Sequence, residues 1–104
     1  MARQIEITCI NRSDRPNAHE RIINVGGIHG GIRWKFSQQD AISAIASGQW
    51  AFYVTRGETT VEITVAASRE GDMYIKTVDD GEQPDILLSL PECPDLKTWT
   101  AVEN

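Results

Sequence analysis

Residues 50–67, WAFYVTRGETTVEITVAA, carry the clearest hydrophobic pattern in the chain. Trp50, Phe52 and Val54 fall on one side of an extended segment, and Val61, Ile63, Val65 and Ala67 fall on one side of the next. Tyr53, Thr55, Thr60, Glu62 and Thr64 fall between them. A period of two predicts paired strands with one face buried and the other wet, here joined by a turn at Arg56-Gly57-Glu58. The rest of the chain must cover the apolar face.

The same alternation runs through Arg3–Ile10, with Ile5, Ile7 and Cys9 inward and Gln4, Glu6 and Thr8 outward, which predicts a first strand. Asn11–His19 is polar and dense in turn formers, so it reads as a surface loop. A second strand is expected over Arg21–Val25, stopping at Gly26-Gly27. Period 3.6 takes over after Ser37. Ser37 is a good N-cap with Asp40 three residues on, Ala41, Ile42, Ile45 and Ala46 form one stripe, and Gly48 supplies the stop. Gln38, Gln39 and Ser43 are expected to face water. Met73–Thr77 completes a meander, and Ile86–Leu90, between Pro84 and Pro91, predicts a helical turn that plugs an open end of the core. The expected fold is α+β, an antiparallel sheet of about five strands in ββαβββ order with one helix on one face. Residues 1–94 form the domain and residues 95–104, with Trp99, a C-terminal tail.

Composition narrows the class without naming an activity. Apolar residues make up 40% of 104 positions, a little below the globular average, and charged residues an ordinary 24%, which suggests neither disorder nor a membrane span. No apolar run approaches the roughly 20 residues that cross a bilayer. Glu6 and Thr8 interrupt the opening MARQIEITCI where a signal peptide would be apolar, so a cytoplasmic setting with no membrane partner is expected. In a reducing cytosol Cys9 and Cys93 read as free thiols, Cys9 in the strand core and Cys93 as a small filler between Pro91 and Pro94, with a disulfide as the alternative. The net charge of −5 is unevenly spread: residues 1–69 carry +2 and residues 70–104 carry −7. The acidic third can present a face to a basic partner, or can serve only as a solvated surface.

Three stretches bear on chemistry. Asp79, Asp80, Glu82 and Asp85 form an acidic, turn-rich segment that fails the calcium-loop spacing, because Gly81 and Leu90 fall where ligands are needed. They are the expected partner-binding surface. Gly26-Gly27-Ile28-His29-Gly30-Gly31-Ile32-Arg33-Trp34-Lys35-Phe36 admits two readings. Arg33 and Lys35 can grip an anion or nucleic acid while Trp34 stacks on a base, or the segment is a loop bent over the sheet with Trp34 as a core lid. It matches neither a Walker loop nor a dinucleotide fingerprint. The basic reading draws in Arg12, Arg15 and Arg21. For catalysis, Cys93 with His29 is the available thiol–imidazole pair, and Cys9, Cys93, His19 and His29 have the ligand types of zinc without its paired short spacing. No cofactor or resident metal is predicted.

Val25-Gly26-Gly27, Trp34, the helix ending at Gly48, Phe52-Tyr53-Val54, Tyr74-Ile75-Lys76-Thr77, Asp80-Gly81 and Leu87-Leu88-Ser89-Leu90-Pro91-Glu92-Cys93 resemble, taken together, a family of small bacterial proteins known as domain of unknown function 3892. The likeness spans roughly residues 3–94. It implies a bacterial or phage source and a cytoplasmic setting, and it carries over no catalytic residue. The reading favoured is a non-enzymatic protein-binding domain, regulatory or inhibitory, that uses an acidic surface. Nucleic-acid or nucleotide binding through Arg33, Trp34 and Lys35 is the alternative, and an enzyme using Cys93 and His29 a further one.

Overall fold

The structure, a computed structural model, describes residues 2–81 and 84–93. It is α+β, with two sheets where one was expected. β1 (Arg3–Glu6), β5 (Trp50–Arg56), β6 (Thr59–Ala67) and β7 (Met73–Thr77) form a mixed four-stranded sheet in the order β1-β5-β6-β7. β2 (Cys9–Arg12), β3 (Ile22–His29) and β4 (Ile32–Ser37) form an antiparallel three-stranded sheet. β1 pairs parallel to β5, with Ile5 opposite Phe52, and the β5-β6-β7 meander is antiparallel.

The predicted first strand is thus divided between the sheets. The Ile7 amide donates to Tyr53 O at 2.8 Å, and the next amide, Thr8, donates to Gly26 O at 2.9 Å. Successive residues thereby serve different sheets. The inner faces meet in a shared core of Ile5, Ile7, Ile10, Val25, Trp34, Phe52, Val54, Ile63 and Ile75. Trp34, Phe36 and Phe52 bridge it, with ring centroids 5.5, 5.7 and 6.1 Å apart in tilted and edge-on pairs. Such pairs add roughly 0.5–1.5 kcal/mol each beyond area burial.

α2 (Gln38–Ala46) packs against β3, β4, β5 and β7. Its start follows the sequence: Ser37 Oγ accepts from the Asp40 amide at 3.1 Å. The buried stripe is shifted from the expected one, however. Ala41, Ile42 and Ala44 are buried, Ile45 is half-buried, and Ala46 is exposed. Gln38 is buried as well. Its Nε2 donates to His19 O and Ile22 O, both at 3.0 Å, while its Oε1 accepts from the Ile75 amide at 3.1 Å. Gln38 therefore ties α1 (Ala18–Arg21), β3 and β7 together, satisfying three backbone groups that would otherwise lie unpaired beneath the helix.

The glycine-rich stretch is a β-hairpin. β3 runs straight through Gly26-Gly27, and the turn is Gly30-Gly31, at φ 59 and 80, between the paired residues His29 and Ile32. Two-residue hairpin turns need that left-handed geometry. The earlier glycines serve close approach. A Cβ on Gly27 would lie 2.5 Å from Glu6 O, and one on Gly26 would lie 2.8 Å from Trp34 O and 3.1 Å from both Cys9 Sγ and Cys93 Sγ. The cysteines are not free thiols: Cys9 and Cys93 are joined in a disulfide with Cα atoms 4.8 Å apart. Closing a loop with a sequence separation of 84 restricts the unfolded chain by about 4–5 kcal/mol in loop-closure terms.

α3 (Asp85–Leu88) is the expected plug, with Leu87 and Leu88 buried. Beyond it the chain returns along β2, where Ile10 bridges Glu92 in parallel. The tail from residue 95, Trp99 included, lies outside the described residues.

Candidate functional site

The acidic segment divides by role. Asp79 and Asp85 are exposed, and Glu82 lies outside the described residues. Asp80, half-buried, is committed to the fold. Its Oδ2 accepts from Thr77 Oγ1 at 3.0 Å and the Thr77 amide at 3.2 Å, and its Oδ1 accepts from the Ile86 amide at 3.1 Å. With both oxygens occupied, Asp80 fastens the first turn of α3 to the end of β7. Lys76 Nζ secures the same turn by donating to Asp80 O and Gly81 O, both at 3.0 Å.

The basic residues do not gather. Along β4, alternation turns Trp34 and Phe36 to the core and Arg33 and Lys35 to the opposite face. Trp34 is fully buried, so it is the core lid and offers no ring to a base. Its indole N–H has no hydrogen-bond partner among the described residues. Arg12 donates through Nη2 to Leu90 O at 2.7 Å, and Arg15 Nη1 pairs with Glu20 Oε2 at 2.9 Å. The hydrogen bond from Asn17, then that from Arg15, hold the Glu20 carboxyl below its ordinary value of 4.5.

The thiol–imidazole pair is not assembled. Cys93 sulfur is bonded to Cys9, leaving no thiolate for attack or for metal ligation in this state. His29, at the tip of the hairpin, meets Trp50 edge-on at 5.6 Å. His19 lies elsewhere, its Nε2 3.5 Å from Asp72 Oδ2 and 3.9 Å from Glu20 Oε1. Among the described residues no three His, Cys, Asp or Glu side chains are grouped to hold a metal ion, and no helix is long and apolar enough to cross a membrane.

What the topology does assemble lies on the outer face of the four-stranded sheet. An open groove of about 450 Å³ is lined by Gln4, Ala51, Phe52, Tyr53, Thr60 and Glu62. Register explains it. Glu6 is opposite Tyr53 across the parallel β1–β5 pair, and Tyr53 is opposite Glu62 across β5–β6. Directly opposed residues share a face, and neighbouring strands lie about 4.8 Å apart, so the three form a row with the phenol between two carboxylates. No side chain of Gln4, Glu6, Tyr53, Thr60 or Glu62 bonds to another described residue. The Val78 amide donates to Glu62 O at 2.9 Å, which brings the turn at Asp79 to the Glu62 end of the row. Chemically, an outward phenol flanked in register by two carboxylates suits a cation.

A family model described as protein of unknown function (DUF3892) matches residues 6–91. No curated protein and no solved structure matches the chain.

Proposed function

The chain belongs to the DUF3892 family of proteins of unknown function, and we propose that it is a non-enzymatic protein-binding domain that receives a basic segment of another protein on its acidic outer sheet face. The observation that carries the reading is the Glu6-Tyr53-Glu62 row, of which Tyr53 and Glu62 line the groove and whose side chains bond to no other described residue. Of the contact surface expected at Asp79, Asp80, Glu82 and Asp85, Asp79 and Asp85 are exposed and belong to the same reading, while Asp80 serves the fold instead. A Lys or Arg side chain laid over Tyr53 gains the ring face and two carboxylates at once. The cytoplasm is the setting proposed for this encounter, and a bacterial or phage host supplies the partner.

The test uses a lysine/arginine-rich decapeptide and an acidic decapeptide of equal length, followed by amide chemical shifts. Shifts should centre on Tyr53, Thr60 and Glu62 for the basic peptide alone, weaken with salt, and fall in affinity by about tenfold or more in Glu62→Lys. Equal response to both peptides, or shifts away from β5 and β6, would refute the reading. Nucleic acid is the competing reading. Its arm is an electrophoretic shift of a single-stranded oligonucleotide that Arg33→Ala abolishes; without Trp34 as a stacking platform, no such shift is expected.

A further inference from the structure

We propose that the Cys9–Cys93 disulfide is a redox latch that holds residues 90–93 against the edge of β2, and that a dithiol reductant opens it. Four noncovalent bonds share the work. The Cys93 amide donates to Ile10 O at 2.9 Å, the Ile10 amide to Pro91 O at 3.0 Å, Asn11 Nδ2 to Cys93 O at 3.3 Å and Arg12 Nη2 to Leu90 O at 2.7 Å. Pro91 and Glu92 are exposed, and between Leu88 and Cys93 the segment places no fully buried side chain in the core. Without its covalent tie, such a segment belongs to the parts of a protein that open locally while the rest stays folded.

An independent observation marks the crosslink as built into the fold. The two sulfurs lie over Gly26, where an added Cβ would come within 3.1 Å of each. The strand thus carries no side chain at the position where the sulfur pair is seated. Both sulfurs belong to buried residues, Cys9 at 7% and Cys93 at 3% exposure, so exchange waits on fraying of the segment.

The chemistry balances with a dithiol as the named co-reactant. One of its thiolates attacks a protein sulfur, the S–S bond breaks and a mixed disulfide forms. The reductant's second thiolate then displaces the protein, leaving Cys9 and Cys93 as thiols and the reductant as a cyclic disulfide, two electrons and two protons having passed to the protein. A reducing compartment therefore keeps the latch open and an oxidising one closes it. Opening leaves the Ile10 N–H and C=O without partners along β2, an edge to which another strand can add.

The experiment is amide hydrogen exchange on air-oxidised protein, before and after dithiothreitol and again after reoxidation with diamide. Exchange at Ile10 and Cys93 should rise by about tenfold or more on reduction, stay near its starting rate at Val54 and Ile63, and return on reoxidation. Cys93→Ser should show the reduced pattern with or without reductant. Two titratable thiols persisting after diamide, an unchanged rate at Ile10, or an equal rise at Val54 and Ile10 would each overturn the latch. The reductant series on the native chain decides the matter even where Cys93→Ser fails to fold.

Discussion

In the β5-β6-β7 meander the core is spread over many ordinary side chains, whereas in the β2-β3-β4 sheet it depends on a few close approaches. Trp50, Phe52, Val54, Val61, Ile63 and Ile75 each contribute a share of burial in the meander, and neighbours can shift when one is altered. The smaller sheet instead has backbone beside a ring and a sulfur pair, with Gly26 and Gly27 in gaps where an added Cβ would not fit. Distributed burial responds to lost volume. Close approach responds to an added atom.

The largest effect is expected where the two regimes meet. Phe52→Ala removes a fully buried ring that touches both Trp34 and Phe36, and should cost about 3–5 kcal/mol in chemical denaturation. A loss below 1 kcal/mol would mean that the aromatic bridge does not join the sheets. Gly27→Ala comes next, at about 1–3 kcal/mol, because the new methyl meets Glu6 O and Trp34 Nε1 with backbone on one side. Gly30→Ala sharpens the contrast: nothing lies within 4 Å of its Cβ, so only the left-handed φ of 59 is paid for, about 1 kcal/mol. Equal losses at Gly27 and Gly30 would show that backbone conformation, not crowding, sets the glycines. The smallest effect concerns the approach to β3. Glu20 has its carboxyl pKa lowered in the fold, so its ionised form stabilises the protein above the ordinary 4.5, and that help fades as pH falls through the lower folded value. Glu20→Gln should thus be slightly less stable than the native chain near neutrality and indistinguishable from it in strong acid, as read by melting temperature against pH.

This contrast also explains what could be read from the chain alone. The meander, the Ser37 cap and the helical plug at Asp85 are specified by neighbours in sequence, and they appear in the structure where expected. The division of the first strand was visible only as Cys9-Ile10, two adjacent buried residues that break the alternation. β4 was hidden by its glycines, although Ile32-x-Trp34-x-Phe36 repeats at period two and Gly30-Gly31 is a two-residue turn. Gln38 gave no local sign, since its partners at His19, Ile22 and Ile75 are distant along the chain. Neither did the disulfide, because two cysteines this far apart have no spacing to interpret. The outer row was partly legible: Glu6, Tyr53 and Glu62 alternate outward, but only the parallel β1–β5 register sets the first beside the other two.

That parallel pairing bears on how the chain is made. Synthesis delivers Ile5–Ile10 before Tyr53 and Pro91, so Ile7 must wait for the first and Ile10 for the second before their amides are satisfied. Partners so remote close slowly. Ile5–Ile10 therefore stays exposed on a nascent chain until those partners arrive, where a neighbouring polypeptide can capture it and a chaperone has reason to shield it.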